Sequence, residues 1–196
     1  MRDPAMDSTS CDVKAVPAIG LACLVFCLVA WFNPAVAQSI NIKYPVTGPL
    51  KTAAEEIEHY APSLQALHNA TVCLGVFPAN DTRFRLPDAP LERETYYIQS
   101  KGDCVVVLGG TDRAVLFGTY DLLERLGVTW YAPGKTAIVS RSPQLPQIEI
   151  TSAPAFKRRG VVALGWSEWI STEFVTWAAR NRLNTFAAHG YPFKLA

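Results

Sequence analysis

The sequence predicts an α/β chain: a small α+β-like domain with a mixed sheet and two helices on one face, followed by an incomplete opening of a (β/α)8 barrel. Three stretches carry this reading. Pro49 to Leu64 repeats apolar residues at helical spacing, Cys104 to Gly134 reads as strand, turn, helix and strand, and Phe156 to His189 reads as strand, helix and strand with tight connections.

Taken in order, the chain starts with a targeting segment. Ala15 to Phe32 is an apolar run broken only by Pro17 and Gly20, and it leads to Ala35-Val36-Ala37, the small residues a signal peptidase requires. Residues 1–37 are therefore expected to be a signal peptide, cleaved after Ala37 to release a secreted or periplasmic chain starting at Gln38. Arg2 and Lys14 are outnumbered by Asp3, Asp7 and Asp12, so the usual positive charge before the run is missing. The alternative is an uncleaved segment, residues 15–32, that anchors the protein in a membrane, since 18 residues approach the length of a bilayer span.

Ser39 to Tyr44 alternates Ile40, Ile42 and Tyr44 with polar residues, as a half-buried strand does. Pro49 suits the first turn of a helix, and Leu50, Ala53, Ala54, Ile57, Ala61 and Leu64 then form an apolar stripe. Lys51, Glu55 and Glu58 point away from that stripe, and Pro62, which has no N–H, ends the helix near Tyr60. Thr71 to Phe77 reads as a strand, Pro78 to Pro90 as a long polar loop, and Thr95 to Gln99 as a further strand.

Val105, Val106, Val107 and Leu108 make a β-branched run closed by Gly109 and Gly110, which fits a strand buried on both faces. Thr111 can cap the next helix and Asp112 places negative charge at its positive end. Leu116, Phe117, Tyr120 and Leu123 share one face of that helix, and Gly127 offers a left-handed cap. Gly118 lies mid-helix, where glycine costs about 1 kcal/mol relative to alanine; close approach of helix to sheet is the structural reason to expect. Val128, Trp130 and Tyr131 resume strand chemistry until Pro133-Gly134, so the stretch is expected to form one β-α-β unit.

Pro143, Pro146 and Pro154 surround Ile148 and Ile150 in a composition typical of a crossing between domains, and the boundary is placed near Pro154. Domains of 38–153 and 154–196 follow. Phe156 to Trp166 then reads as a strand, Ser171 to Leu183 as a helix and Asn184 to His189 as a strand, the opening of a parallel barrel.

Several of these residues carry a family resemblance. Gly118-Thr-Tyr-Asp-Leu-Leu-Glu-Arg-Leu-Gly127 with Trp130-Tyr-Ala-Pro-Gly134 resembles the end of the small α/β domain that precedes the catalytic barrel in α-glucuronidases, β-N-acetylhexosaminidases and a related group of bacterial secreted proteins. Ala53-Ala54-Glu55-Glu56-Ile57 and Tyr96-Tyr97-Ile98 are similar to the first helix and following strand of that domain, so the likeness covers roughly Ser39 to Ala155. Phe156-Lys-Arg-Arg-Gly160 and Trp177-Ala-Ala-Arg-Asn-Arg-Leu-Asn184 are similar to the first barrel strand and to the first barrel helix with its second strand.

The resemblance implies a non-catalytic accessory domain beside a glycoside hydrolase barrel. In the hexosaminidases an arginine of the first barrel strand binds the terminal sugar, and Arg159 is the corresponding position. There the strand continues into an Asp, where this chain has Ala163-Leu164-Gly165-Trp166. Trp166 and His189 would lie past the C-terminal ends of barrel strands, where such folds build their active sites, so Arg159, Trp166 and His189 are the candidate substrate-binding residues.

No catalytic residue is expected. Glycoside hydrolysis uses two carboxyl groups about 5 to 10 Å apart, which in those families come from later barrel strands, and Glu168 and Glu173 fit the solvated start of a helix. The chain reads as the front of a truncated enzyme acting on polysaccharide or glycoconjugate, with carbohydrate as partner only through the missing barrel. The alternative is a stand-alone carbohydrate- or protein-binding module of the cell envelope, using Trp130, Trp166, Trp169 and Trp177.

Other classes find little support. The 18 basic and 17 acidic residues nearly cancel, which gives no electrostatic footprint for nucleic acid. A membrane would be met only through an uncleaved signal segment. Leu108-Gly109-Gly110-Thr111 matches neither of the glycine-rich nucleotide motifs, so no cofactor is expected. His59, His68 and His189 are scattered, Cys73 and Cys104 lack metal-ligand spacing, and no metal site is expected. Those two cysteines read as strand positions that could bridge in an oxidising compartment or stay as buried thiols. Asn69-Ala70-Thr71 and Asn80-Asp81-Thr82 match the glycosylation sequon, which would be used only in a eukaryotic secretory host, and chance occurrence is the expectation.

Overall fold

The computed structural model describes residues 48–77, 87, 90–139, 142–164 and 171–189. The expected signal segment, the expected Ser39 to Tyr44 strand, most of the expected 78–90 loop, Trp166, Glu168 and Trp169 lie outside the described residues.

Gly48 (φ 54°) turns the chain into α1 (Pro49–Tyr60), whose proline occupies the first turn. The helix stops where Pro62 removes a donor, and two 3-10 turns, Ala61–Ser63 and Gln65–Leu67, carry Leu64 and Leu67 into the core. β1 (Thr71–Val76), β2 (Tyr96–Lys101) and β3 (Cys104–Gly109) follow. In α2 (Asp112–Leu126), the Thr111 hydroxyl accepts from the N–H of Ala114 at 3.3 Å, and Gly127 (φ 109°) closes the helix in the left-handed region. Local chemistry sets both ends as the sequence predicts.

The sheet is mixed. β1 is parallel to β3, β3 is antiparallel to β2, and β2 is antiparallel to β6 (Glu149–Ser152), in the order β1-β3-β2-β6. Alternate residues of β3 enter two clusters. Val105 and Val107 join Ala53 and Ile57 of α1 and Val115 and Leu122 of α2, so both helices cover one face. Val106 and Leu108 join Cys73 and Tyr97 on the other. A side chain on Gly118 would place its Cβ 2.7 Å from Val107 Cγ1 and 3.1 Å from the Tyr96 ring, so the helix sits on the sheet as closely as glycine allows.

Two expectations change. First, the strand after α2, β4 (Val128–Ala132), does not complete a β-α-β unit with β3; it forms a separate antiparallel hairpin with β5 (Lys135–Ile138). Val128 and Trp130 are buried while Thr129 and Tyr131 face out, so the strand has one covered face where a central strand of the sheet needs two. Second, Ile148 and Ile150 do not simply cross between domains. Ser100 Oγ accepts the Ile148 N–H at 2.8 Å and donates to the Pro146 carbonyl at 2.6 Å, drawing the segment onto the sheet edge as β6. The two states the sequence leaves open for Cys73 and Cys104 are narrowed by their register: Cys73 stands opposite Val106 and Cys104 opposite Thr71, two positions out of step. That places their Cα atoms about 8 Å apart from strand geometry, beyond the reach of a disulfide.

β7 (Gly160–Leu164), α3 (Thr172–Arg180) and β8 (Thr185–His189) form a parallel strand-helix-strand unit with Gly160 opposite Thr185 and Leu164 opposite His189. Ser171 caps α3 by accepting from the Phe174 N–H at 3.2 Å. A Cβ at Gly160 would lie 2.0 Å from the Thr185 carbonyl oxygen, so the pairing begins at a position open only to glycine. Val162 (61%), Val175 (45%) and Phe186 (40%) are exposed on this unit. Among the described residues no helix is long and apolar enough to cross a membrane.

Candidate functional site

Among the described residues, a dense polar network lies where the β7-α3-β8 unit meets the α/β part, and it is built by the segment Arg180-Asn-Arg-Leu-Asn184. Helix α3 ends at Arg180, the Asn181 N–H returns to the Trp177 carbonyl, and Arg182 takes a left-handed conformation (φ 59°) that turns the chain into β8. This brings Arg180, Arg182 and Asn184 against three carboxylates from three different elements.

Arg180 meets Glu56 of α1, with Nε to Oε1 at 3.1 Å and Nη2 to Oε1 and Oε2 at 2.9 and 3.1 Å. Its guanidinium also lies 5.7 Å from the Tyr60 ring centre and 5.6 Å from that of Trp130. Arg182 donates to Glu124 of α2 at 2.7 Å. Asn184 donates to both oxygens of Glu94 at 3.1 Å and to the Lys157 carbonyl at 2.8 Å.

Glu94, just before β2, is the centre of the third set. It takes Arg113 of α2 at 2.6 Å and Arg159 at 3.0 Å in addition to Asn184, and its side chain is only 12% exposed. Burial pushes its carboxyl up, but hydrogen bonds from Asn184 and Arg159 and the charges of Arg159 and Arg113 outweigh it and hold the group below its ordinary value. Around this centre a cleft of about 180 Å³ is lined by Glu94, Tyr96, Phe117, Ser152, Arg159 and Arg182. A second, of about 290 Å³, is lined by Thr52, Glu55, Glu56, His59 and Arg180.

Aromatic contacts complete the junction. The indole N–H of Trp130 donates to Tyr60 Oη at 2.8 Å, the indole N–H of Trp177 donates to the Trp130 carbonyl at 3.0 Å, and the Asn181 amide reaches the same carbonyl at 3.3 Å.

The structure separates the candidate substrate residues. Arg159 precedes Gly160 at the N-terminal end of β7, whereas His189 stands opposite Leu164 at the C-terminal end, on the order of 16 Å away along the strands. The Arg159 guanidinium is engaged by Glu94, by the Arg182 carbonyl at 3.0 Å and by the Phe156 carbonyl at 2.6 Å, and it sits 5.6 Å from the Phe117 ring centre. Trp166 is outside the described residues. Trp130 is buried, and Trp177 is half-buried against the core. Glu173 is fully exposed at the start of α3, its carboxyl held low by Ser171 and by its own backbone, as a solvated helix start should be. Among the described residues no group of three or more His, Cys, Asp or Glu side chains could hold a metal ion.

Sequence reasoning missed Glu56, Glu94 and Glu124. Glu56 had one usable signal: it lies three residues after Ala53, on the edge of the apolar stripe. Glu94 and Glu124 carry no comparable local pattern.

No protein-family profile matches this chain, and no curated protein sequence matches it. Among solved structures, a GH138 enzyme targeting pectin rhamnogalacturonan II aligns with a TM-score of 0.44 at 16% identity, over 64% of this chain and 12% of that one. A glycoside hydrolase family 20 β-N-acetylglucosaminidase aligns with a TM-score of 0.48 at 20% identity, over 78% of this chain and 26% of that one. The chain thus spans a minor part of either protein.

Proposed function

We propose that this chain is the non-catalytic front portion of a secreted glycoside hydrolase of the hexosaminidase or α-glucuronidase kind, acting on polysaccharide or glycoconjugate. Residues 1–37 export it and are removed, residues 38–153 are the accessory domain, and residues 154–196 are the opening of a (β/α)8 barrel. The observation that carries this reading is the parallel register of β7 and β8 with α3 crossing between them. A parallel pair is stable when both faces are covered, yet Val162 and Phe186 are exposed, as the first strands of a larger parallel sheet would be. The sequence motifs across Gly118 to Gly134 and Trp177 to Asn184 fit the same reading.

In this proposal Trp166 and His189 contribute to a sugar site at the C-terminal ends of the strands, by ring stacking and by hydrogen bonding a hydroxyl. Arg159 could contact a sugar only by leaving Glu94. Catalytic carboxylates come from barrel strands beyond these two. The full chain should therefore give no turnover of aryl β-N-acetylglucosaminides or aryl α-glucuronides, and measurable turnover would refute the non-catalytic assignment. Saturable sugar binding by calorimetry without turnover would instead favour a stand-alone binding module.

A further inference from the structure

We propose that Glu94 latches the N-terminal ends of β7 and β8 to the α/β part, so that removing or protonating its carboxylate frees those strands while the main sheet stays folded. The argument is geometric. Glu94 is fixed to the sheet side by Arg113 of α2, and the Thr95 N–H donates to the Glu92 carbonyl at 3.0 Å to shape the turn that presents it. From the other side it holds Arg159, the residue before β7, and Asn184, the residue before β8.

Those two residues are also joined to each other: the Arg159 N–H donates to Asn184 Oδ1 at 2.9 Å, and the N–H groups of Asn184 and Thr185 donate to the Arg159 carbonyl at 2.8 and 3.0 Å. One carboxylate thus grips both strands at the point where their pairing begins, and leaves the Leu164 and His189 ends outside its reach. In a parallel α/β unit the N-terminal ends are where stability is built and the C-terminal ends are where chemistry is placed. The latch assigns Arg159 to docking. It stands on contacts within this chain, whether or not the parent protein hydrolyses glycosides.

The charged and titratable groups facing Glu94 are Arg113 from α2, Arg159 before β7, and Tyr96 and Arg182 across the cleft; Asp121 and Glu124 of α2 are occupied by Arg125 and Arg182. With cations on two sides, the carboxylate stays ionised below its ordinary value of 4.5, so the latch holds through pH 4.5 and opens only at more acid pH.

Hydrogen exchange of the full chain, read by mass spectrometry and corrected for intrinsic rates, tests this. Glu94→Gln at neutral pH should raise exchange about tenfold or more in residues 160–164 and 185–189, as loss of a charged hydrogen-bond hub implies, and leave residues 104–109 unchanged. Wild type should reach the same state only below pH 4.5, and Glu94→Gln should show no further acid step in those segments. Unchanged exchange in both segments, or an equal rise in 104–109, would overturn the latch. Should Glu94→Gln fail to fold, Arg159→Met gives the same test with Glu94 still held by Arg113: a rise confined to the two strands supports the proposal, and no rise defeats it.

Discussion

Arg180→Met removes one partner of the most enclosed ion pair at the junction. Glu56 is 9% exposed at its side chain and Arg180 19%, and three short hydrogen bonds join them. Breaking a buried pair from one side costs about 3–5 kcal/mol because it strands the other charge. The partial exposure of Arg180 places this case near the lower end. Loss of the cation over Tyr60 and Trp130 adds about 0.5–1 kcal/mol, which the methionine sulfur recovers in part against the same rings. The net loss is about 3 kcal/mol. In urea, with a slope of about 2 kcal/mol/M, the unfolding midpoint should fall by about 1.5 M. Removing both charges in Glu56→Gln/Arg180→Met should restore much of the loss, because no ion is then left stranded. A cost below about 1 kcal/mol for Arg180→Met, or a double variant as unstable as the sum of the two single ones, would refute this account of the junction.

Gly118→Ala, which in an open helix gains about 1 kcal/mol, should instead destabilise by about 1–2 kcal/mol because the new Cβ meets Val107 and Tyr96; a raised melting temperature would contradict the close approach. Trp130→Phe leaves the buried Tyr60 hydroxyl without its indole donor and should cost about 1–2 kcal/mol, with Tyr60→Phe/Trp130→Phe less than additive in chemical denaturation. Gly160→Ala drives a Cβ into the Thr185 carbonyl and should abolish exchange protection in residues 160–164 and 185–189 while residues 104–109 stay protected; retained protection in β7 would contradict the pairing. Ser100→Ala removes the two hydroxyl bonds that add to the backbone pairing of β6 on the sheet edge, and cleavage by a nonspecific protease between residues 142 and 152 should accelerate, whereas an unchanged cleavage pattern would show that the backbone pairing alone holds the segment.

Where local chemistry fixes an element, the sequence alone was enough to find it. Thr111, Asp112 and Gly127 bracket α2, Pro49 and Pro62 bracket α1, and the Val105 to Leu108 run is the central strand β3. Gly118 was readable as a contact point because a glycine costs too much in mid-helix without one. Pairing was harder to read. β4 has strand chemistry whichever neighbour it takes, and its hairpin with β5 follows from a one-sided burial that only the assembled helices create. β6 pairs with β2 beside a hydroxyl, Ser100, that lies 48 residues before the amide it receives. The junction was least legible, since Glu56 reads as one more charge on a helix until Arg180, 124 residues downstream, arrives beside it. For Arg159 the resemblance marks a sugar contact, and the contact that its position before β7 creates, with Glu94, had no sign in the sequence.

We propose that β7, α3 and β8 open a parallel barrel whose remaining strands carry the chemistry of a glycoside hydrolase. Sequencing the genomic DNA and transcript through and beyond the Ala196 codon tests it most directly. The account predicts, in the same or a shifted frame, six further strand-helix units with acidic residues at strand ends. A stop followed by no such sequence in any frame would contradict it, and would leave a protein whose function lies in the residues already present.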